Sequence, residues 1–303
     1  MKKIPYLLVV LAAMTAMVSC NVNDDIENGQ TKVKFTSGIT ATPQPRVATD
    51  YEGHSTWTMN DPIGISMVEN GTTVIVEGAD NIPYKATTTA ASTVFTPSGT
   101  TIYYPVSNPA NVDFIAYHPY SSSVVNWVYP VDVSVQTPQT DIDLMWAKAD
   151  NSGAGYDKTS TNVNFIFNHQ LAKLIINVSK GAGVTGTVTD VNITGMNTSA
   201  NFDLKGDDGL TDIGTPQVIV PYAADGTTYE AILLPVATLD ATHTVTFTTS
   251  AGETYTWTMS DDIPNLAAGS LYAYDIVLTK HAVNVTGSIS SWIVGTPGTG
   301  IAD

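Results

Sequence analysis

The sequence predicts an all-β protein, and three observations support this prediction. Apolar and polar residues alternate over many short stretches, which places successive side chains on opposite faces of a strand. Glycine and proline interrupt these stretches at short intervals, with 23 glycines and 16 prolines in 303 residues, as the turns of a β-sandwich require. No run of ten or more residues follows the 3.6-residue period of a helix.

The alternating stretches follow one another along the chain after residue 31. The clearest are Val112–Tyr117, Val131–Val135, Val163–Phe167, Thr244–Thr248, Tyr255–Trp257 and Leu271–Leu278. Residues 250–253 predict a hairpin turn between two of these strands. Residues 181–186 match the glycine pattern of a dinucleotide-binding loop. An alternating stretch follows them where that loop requires a helix, so we interpret them as a turn.

A polar, glycine-bearing segment at residues 150–160 is the clearest break between two sets of predicted strands. We predict from it two tandem β-sandwich domains, at residues 32–155 and 156–303. Each of them is long enough to bury a core of its own.

The first twenty residues carry the features of an export signal. Lys2 and Lys3 precede an apolar stretch that is too short to span a bilayer as a helix. Cys20, the only cysteine, follows the small residue Ser19 in an arrangement that resembles a bacterial lipobox. The resemblance implies a signal peptide at residues 1–19, a lipidated tether at 20–31 and attachment to outer-membrane lipid through Cys20. The alternative is an ordinary signal peptide with an incidental cysteine.

Composition and motifs give no support for catalysis. The net charge of −16 repels phosphate backbones and argues against nucleic-acid binding. One cysteine excludes a multi-cysteine zinc site, and the five histidines show no metal-ligand spacing. His169 lies between apolar runs and is interpreted as a hydrogen-bonded structural residue. We therefore predict no enzyme, no catalytic residues, no metal and no cofactor.

Five further stretches occur in the order Trp57–Ile65, Phe114–Tyr120, Asp143–Ala147, Phe167–Leu174 and Ala231–Pro235. Together they resemble the fimbrillin-like lipoproteins of Bacteroidales, the subunits of type V pili. Within the first stretch, Asn60 stands where that family usually has glycine. The acidic stretch Asn23–Glu27 resembles the export tag that carries such lipoproteins to the outer face of the outer membrane.

The resemblance implies two transthyretin-like β-sandwiches and a subunit that polymerises with other fimbrial subunits by strand exchange. It implies a surface-exposed precursor at the cell outer membrane, which joins the fimbrium once a surface protease has cut the loop after the first strand. Arg46 is the only arginine, and Pro43 and Pro45 favour an exposed, extended segment around it. Cleavage is thus expected between Arg46 and Val47; the alternative is an exposed arginine with no role.

The two strands that such an exchange would involve show matching patterns. The leaving strand carries an apolar or small residue at every odd position from 33 to 41, and the large ones are Val33, Phe35 and Ile39. The candidate donor strand, within residues 281–303, carries its alternating residues at Val283, Val285, Gly287, Ile289 and Ile293. Matching alternation is what replacement of one strand by another requires, although two ordinary edge strands would also produce it.

A second hypothesis is a tip or accessory adhesin, or a monomeric surface lipoprotein, that binds host protein or glycan. Aromatic residues at 103–104, 117–120 and 127–129 would line its ligand surface. The alternative is that these aromatic side chains pack within the core or across strands.

Overall fold

The computed structural model of the chain describes residues 26–27, 29–37, 56–107, 110–160, 162–206, 208–280 and 283–291. These residues form an all-β protein, as predicted, and no helix among them has the length and apolarity that a bilayer crossing requires. The strands are β1 Ile26–Glu27, β2 Gln30–Thr31, β3 Phe35–Ser37, β4 Pro62–Glu69, β5 Ile82–Ala86, β6 Thr93–Pro97, β7 Val112–His118, β8 Val128–Asp132, β9 Met145–Ala149, β10 Val163–Phe165, β11 Asn168–His169, β12 Ala172–Lys180, β13 Val188–Thr194, β14 Ser199–Asp203, β15 Leu210–Thr211, β16 Tyr222–Ala223, β17 Thr228–Leu233, β18 Thr244–Thr249, β19 Thr254–Thr258, β20 Ser270–Leu278 and β21 Val283–Ser291. Single turns of 3-10 helix lie at Gln139–Asp141 and Met259–Asp261.

The first core lies inside an eight-stranded sheet of order β10-β3-β6-β5-β4-β7-β9-β11. Phe35 on β3 and Phe114 on β7 are separated by three intervening strands in this order, yet their ring centroids are 5.1 Å apart. The sheet therefore curls around its own apolar face and encloses the side chains that alternate along each strand.

A five-stranded sheet of order β16-β17-β12-β20-β21 and a three-stranded sheet of order β13-β18-β19 enclose the second core. Strands β18 and β19 form the hairpin that the sequence predicts around residues 250–253. Strand β13 follows the glycine-rich residues 181–186, which confirms that they precede a strand and not a helix. Strands β12 and β20 run parallel over Lys173–Lys180 and form the centre of the five-stranded sheet.

A third apolar cluster joins the two parts of the chain. Ile175, Ile232 and Ala273 point from the outer face of the five-stranded sheet, and they pack with Tyr117 and Tyr129 of the first part. Strand β8 pairs with β14, so one small sheet contains strands from both parts. The two parts are therefore joined by a continuous packed seam.

Gln136 adds two hydrogen bonds to this seam. Its amide nitrogen donates to the Ile232 carbonyl at 2.9 Å, and the Ile232 N–H donates to the Gln136 amide oxygen at 2.8 Å. The side chain is buried, and it satisfies both backbone groups of Ile232, which would be costly to bury unpaired.

The change from one large sheet to the other follows His169. Strand β10 pairs with β3 and strand β11 pairs with β9, so both belong to the first sheet although they come after residue 156. Strand β12 then opens the second sheet at Ala172. The domain boundary at residues 155 and 156 stays a prediction.

Asn60 has a positive φ of 78° at the turn before β4. Few residues other than glycine adopt this left-handed conformation, and asparagine is the most tolerant of them. The turn therefore explains why asparagine can replace the glycine that is usual in the sequence pattern.

Candidate functional site

The site has two components, the positions that β3 and β21 occupy in the fold. We call the surroundings that hold each strand its seat. The seat of β3 lies in the first core, and the seat of β21 lies at the edge of the second core. The sequence singles out both strands for their alternation. Their surroundings differ in hydrogen bonding, in burial and in the size of the side chains that they place inward.

Strand β3 is bonded along both of its sides. It pairs antiparallel with β6, which places Phe35 opposite Phe95, and parallel with β10, which places Phe35 opposite Val163. Just before the strand, the Val33 N–H donates to the Ile102 carbonyl at 3.1 Å. Strand β3 is thus an interior strand and not an edge strand.

The side chain of Phe35 occupies a cage of aromatic rings. Its ring centroid lies 5.1 Å from that of Tyr84, 5.1 Å from that of Phe114 and 5.6 Å from that of Phe165. Phe35, Phe114 and Phe165 are each fully buried. Edge-to-face and stacked contacts of this kind stabilise a core beyond simple area burial. Phe35 is therefore the main anchor of β3.

Tyr84 holds one wall of this cage in place. Its hydroxyl accepts a hydrogen bond of 2.8 Å from the Ile102 N–H, and burial of the ring raises the pKa of Tyr84 to about 12. The neutral phenol is favoured because the phenolate would lose its hydration in the core.

The residues on either side of Phe35 complete the seat of β3. Val33 and Ser37 are both about 1% exposed, so the strand points inward at every odd position from 33 to 37. The Ser37 hydroxyl is buried and finds no hydrogen-bond partner among the described residues. On the other face, the Thr36 hydroxyl donates to the Asn164 amide oxygen at 3.1 Å.

Strand β21 occupies an edge. It pairs antiparallel with β20 along its whole length, from Val283 opposite Leu278 to Ser291 opposite Ser270, and β20 is its only sheet partner within the described ranges. Val283 and Val285 pack against the second core, whereas Ile289 is 52% exposed. The strand is therefore half-buried, and its burial fades toward its end.

Gly287 sits under the ring of Tyr274 on the neighbouring strand. A Cβ atom at position 287 would lie 2.0 Å from a ring carbon of Tyr274, closer than any real contact. Burial raises the pKa of Tyr274 to about 12, which agrees with a ring held inside the core. The seat of β21 in its own domain therefore requires glycine at this position.

A cleft of about 370 Å³ lies between β19 and β21. It is lined by Thr256, Trp257, Thr258, Asp261, Asp262, Val283 and Val285. The indole N–H of Trp257 donates to an Asp262 carboxylate oxygen at 2.8 Å, so this wall of the cleft is already hydrogen-bonded within the domain. The cleft marks the incomplete contact between the two sheets beside the last strand.

Several predicted site residues lie outside the described residues. These are Cys20, Ile39, Arg46, Val47 and Ile293, together with the signal peptide and most of the tether. Lipidation at Cys20 and cleavage after Arg46 therefore stay predictions.

Three of the six tyrosine and tryptophan residues proposed for a ligand surface are buried inside the protein. Tyr104 belongs to the first core, and Tyr117 and Tyr129 lie in the seam with ring centroids 5.3 Å apart. Trp127 is only partly buried and packs against the same seam. Packing, the alternative given for these residues, explains the three tyrosines.

The polar clusters form internal bonds. His169 and Asp143 are both buried, with the Nδ1 atom of the ring 2.8 Å from a carboxylate oxygen, which confirms a hydrogen-bonded structural histidine. Lys173 and Glu230 form a buried ion pair of 2.6 Å on adjacent strands. No group of three or more metal-ligating side chains occurs within the described ranges.

The alternation of the sequence does not identify the ring cage around Phe35. Tyr84, Phe114 and Phe165 come from three other strands that are far apart in the chain. Each of them looks like an ordinary core position in its own stretch. Only the order of the strands in the folded sheet brings them together.

Comparisons with known proteins agree with this architecture. A family model described as fimbrillin-like matches residues 46–292. A Bacteroides uniformis protein assigned as the fimbrium subunit Fim1C is 36% identical over 97% of this chain and 96% of its own length. A crystal structure from Bacteroides uniformis, assigned to a cell adhesion protein, has a TM-score of 0.73 at 35% identity and covers 87% of this chain and 98% of that chain. A second such structure, from Bacteroides ovatus, shares the fold with a TM-score of 0.64 at 22% identity, covering 88% of this chain and 99% of that chain. The family match and the identity to the curated relative show that this chain belongs to the fimbrillin-like family.

Proposed function

We propose that this chain is a fimbrial subunit that is exported as a lipoprotein precursor, lipidated at Cys20, cut after Arg46 and assembled by donor-strand exchange. Membership of the fimbrillin-like family supports the subunit role, and so does the assigned name of the Bacteroides uniformis relative. A fimbrial subunit acts at the cell surface, where other fimbrial subunits are its partners. This role is structural and requires no catalytic site.

One observation carries the proposed mechanism. Strand β3 is an interior strand that ends at Ser37, only nine residues before Arg46 in the sequence. A cut after Arg46 would separate this strand from the chain that continues to β4. Its departure would leave β6 and β10 each with an unpaired backbone edge, and it would empty the seat of Phe35. A new strand could repair both defects at once, which is the principle of strand addition.

The single arginine makes the processing step easy to test. An arginine-specific endoprotease can cut the full chain only after Arg46, because there is no other arginine. We expect the treated protein to start at Val47 and to form ladders on unboiled gels. The matched variant Arg46→Lys keeps the positive charge but removes the cut, and it should remain a single band. Ladders from treated Arg46→Lys protein would disprove the dependence on cleavage.

The donor is tested in the same assay with a chain that ends at Lys280. Without residues 281–303, the cut protein should retain its first core but form no ladder. A normal ladder from this truncated chain would show that the tail is not the donor strand.

The seat of β21 favours a second candidate function, a monomeric or tip-located adhesin. The last strand pairs with β20 in its own domain, and Val283 and Val285 pack on that core. A tail that stays in this position does not serve a neighbour. The Arg46→Lys protein, which should not assemble, would then show saturable binding on a glycan array or to host protein. Absence of such binding, together with ladders from the wild type, would favour the stalk subunit.

A further inference from the structure

Gly287 and Tyr274 form a close contact in the seat of β21. The two residues lie directly opposite each other in the antiparallel pair of β21 and β20, so their side-chain positions share one face of the sheet. The ring lies across the glycine, and a Cβ atom at position 287 would come 2.0 Å from ring atom Cδ1 and 2.6 Å from Cγ. An aromatic ring that covers a glycine on the neighbouring strand leaves no room for a side chain there.

The ring of Tyr274 is held on its other sides as well. It is 5% exposed, its centroid lies 5.2 Å from that of Trp257, and its hydroxyl donates to the Asp262 carbonyl at 3.4 Å. The atoms nearest to the Cβ position lie at the base of the ring and not at the end of a flexible side chain. A side chain at position 287 would therefore have to displace either a packed ring of the second core or β21 itself.

The leaving strand differs from β21 at this position. Residues 33–37 read VKFTS and residues 283–287 read VNVTG, so the two stretches share valine and threonine and differ at three positions. In this alignment Ser37 falls opposite Tyr274, where its Cβ atom would collide with the ring. The leaving strand therefore does not fit the seat of β21 in the matching register.

No other register of the same antiparallel pair removes this conflict. The residues that alternate with Ser37, at positions 33, 35, 39 and 41, are valine, phenylalanine, isoleucine and alanine, and each of them carries a Cβ atom. Gly38 is the only glycine from 33 to 41. Placing it opposite Tyr274 would put Lys34 and Thr36 at the positions of the two valines that pack on the second core. An ammonium group and a hydroxyl would then enter an apolar environment, which is costly.

The reverse replacement meets no such obstacle. Ser37 is about 1% exposed in the seat of β3, and its hydroxyl has no hydrogen-bond partner among the described residues. When the two stretches are aligned, Gly287 takes the place of Ser37. It needs less space than the serine and breaks no hydrogen bond within the described ranges. The seat of β3 thus tolerates glycine where the seat of β21 requires it.

We propose that Gly287 and Tyr274 make the strand exchange one-way: the seat that β21 vacates accepts a strand with glycine opposite Tyr274 and excludes the leaving strand. This inference rests on the proposed strand exchange and adds the residue that determines its direction. The tail of a second copy of this chain meets the requirement, because it carries the same glycine. The first strand, once cut off, does not meet it and therefore cannot cover the second core after the tail has moved to a neighbour.

Full-length, uncut variants test this exclusion in the seat itself. The triple variant Asn284→Lys, Val285→Phe and Gly287→Ser gives β21 the residues found at 33–37, because the other two positions already match. Its matched control carries Asn284→Lys and Val285→Phe and keeps the glycine. The cleft of about 370 Å³ beside Val285 provides room for the added ring in both chains.

Amide exchange, measured by mass spectrometry, should be at least roughly tenfold faster across β21 in the triple variant than in the control, because the strand leaves its seat more readily than the packed ring moves. The control should exchange near the wild-type rate. Slow exchange across β4 and β12 should show that both cores of each variant are folded. Equal protection of β21 in the triple variant and the control would overturn the exclusion. Fast exchange in both would overturn it too, since the serine would then not be the residue that releases the strand.

The same chains, once cut, separate this selectivity from the mechanism on which it rests. The triple variant keeps Arg46 as its only arginine, and its tail carries the residues that fill the seat of β3 in the intact chain. After the cut it should therefore form ladders on unboiled gels, as the wild type should. Ladders from neither protein would disprove the strand exchange, whereas the uncut chains decide the exclusion by themselves.

Discussion

Strand β3 is three residues long and is bonded along both sides, whereas β21 is nine residues long and is bonded along one side. Phe35 is fully buried among three rings, but Ile289 is half exposed. The shorter strand is therefore held by more contacts per residue. Because local opening costs the contacts that it breaks, the number of partners and the burial of side chains matter more than the length of a strand.

This difference matters for assembly. The strand proposed to leave is the more firmly held one while the chain is intact, so its loss requires a cut. The strand proposed to donate is the more weakly held one, so it can leave its seat without a cut. The contrast fits a subunit whose acceptor groove stays closed until processing.

The largest expected effect is at Phe35. Replacing it with alanine removes a ring from the centre of the first core and should lower the free energy of unfolding by about 3–5 kcal/mol. The matched variant Val285→Ala, on the half-buried last strand, should cost less than about 1.5 kcal/mol. Urea unfolding of the uncut chain measures both. Similar losses of unfolding free energy in the two variants would contradict the conclusion that β3 is held more firmly than β21.

Alkaline pH should lower the free energy of unfolding through Tyr84, which packs against Phe35 of β3. The pKa of Tyr84 is raised to about 12 by burial, so the folded state resists the phenolate. The contribution of Tyr84 to the free energy of unfolding is therefore fully present below the ordinary tyrosine pKa near 10, and it is lost as the pH rises toward 12. The loss amounts to about 2–3 kcal/mol for this one group. Unfolding experiments between pH 9 and 12 should show it as a falling free energy.

Two tyrosine-to-phenylalanine variants distinguish the contribution of Tyr84, which packs against β3, from that of Tyr274, which packs against β21. Tyr84→Phe should remove its share of the alkaline loss, but it should cost about 1–2 kcal/mol at neutral pH because the buried Ile102 N–H loses its acceptor. Tyr274→Phe should also reduce the alkaline loss, since burial raises the pKa of Tyr274 to about 12. The stability that Tyr274→Phe loses at neutral pH should be smaller, because the Tyr274 hydroxyl donates only a long hydrogen bond of 3.4 Å to the Asp262 carbonyl. An unchanged alkaline profile in both variants would contradict the assignment.

The sequence predicts the all-β class, the hairpin of β18 and β19, and the strand after the glycine-rich turn because these features are local. Alternation and turn residues act over a few neighbours, and the structure follows them. The family is also accessible from the sequence, through five short stretches in a fixed order. Each depends on residues that lie next to one another in the chain.

The pairing of strands that are distant in the chain is harder to predict from the sequence. Val163 lies beside Phe35 in a parallel pair although 127 residues separate them in sequence, and no local pattern selects one strand over another as a partner. The side chain of Gln136 reaches the backbone of Ile232 in the same unpredictable way. An interior strand and an edge strand can carry the same alternation, so the sequence could not rank β3 and β21 by burial. The seam between the two parts is hidden for the same reason.

A small effect on overall stability is also expected at Gly287, where the local effect should be large. A valine at this position would collide with the Tyr274 ring, and displacement of one terminal edge strand relieves the collision more readily than repacking of the core. The free energy of unfolding should fall by only about 1–2 kcal/mol, while amide exchange across β21 should become much faster. Ser288→Val, one position along the same strand, is the matched control and should leave the exchange of β21 near that of the wild type. Unchanged exchange in Gly287→Val would mean that Tyr274 moves instead, and β21 would then be held more firmly than its edge position indicates. If the strand is released as expected and the cut protein also forms ladders faster, the glycine holds the donor in its own domain until a neighbour's groove opens.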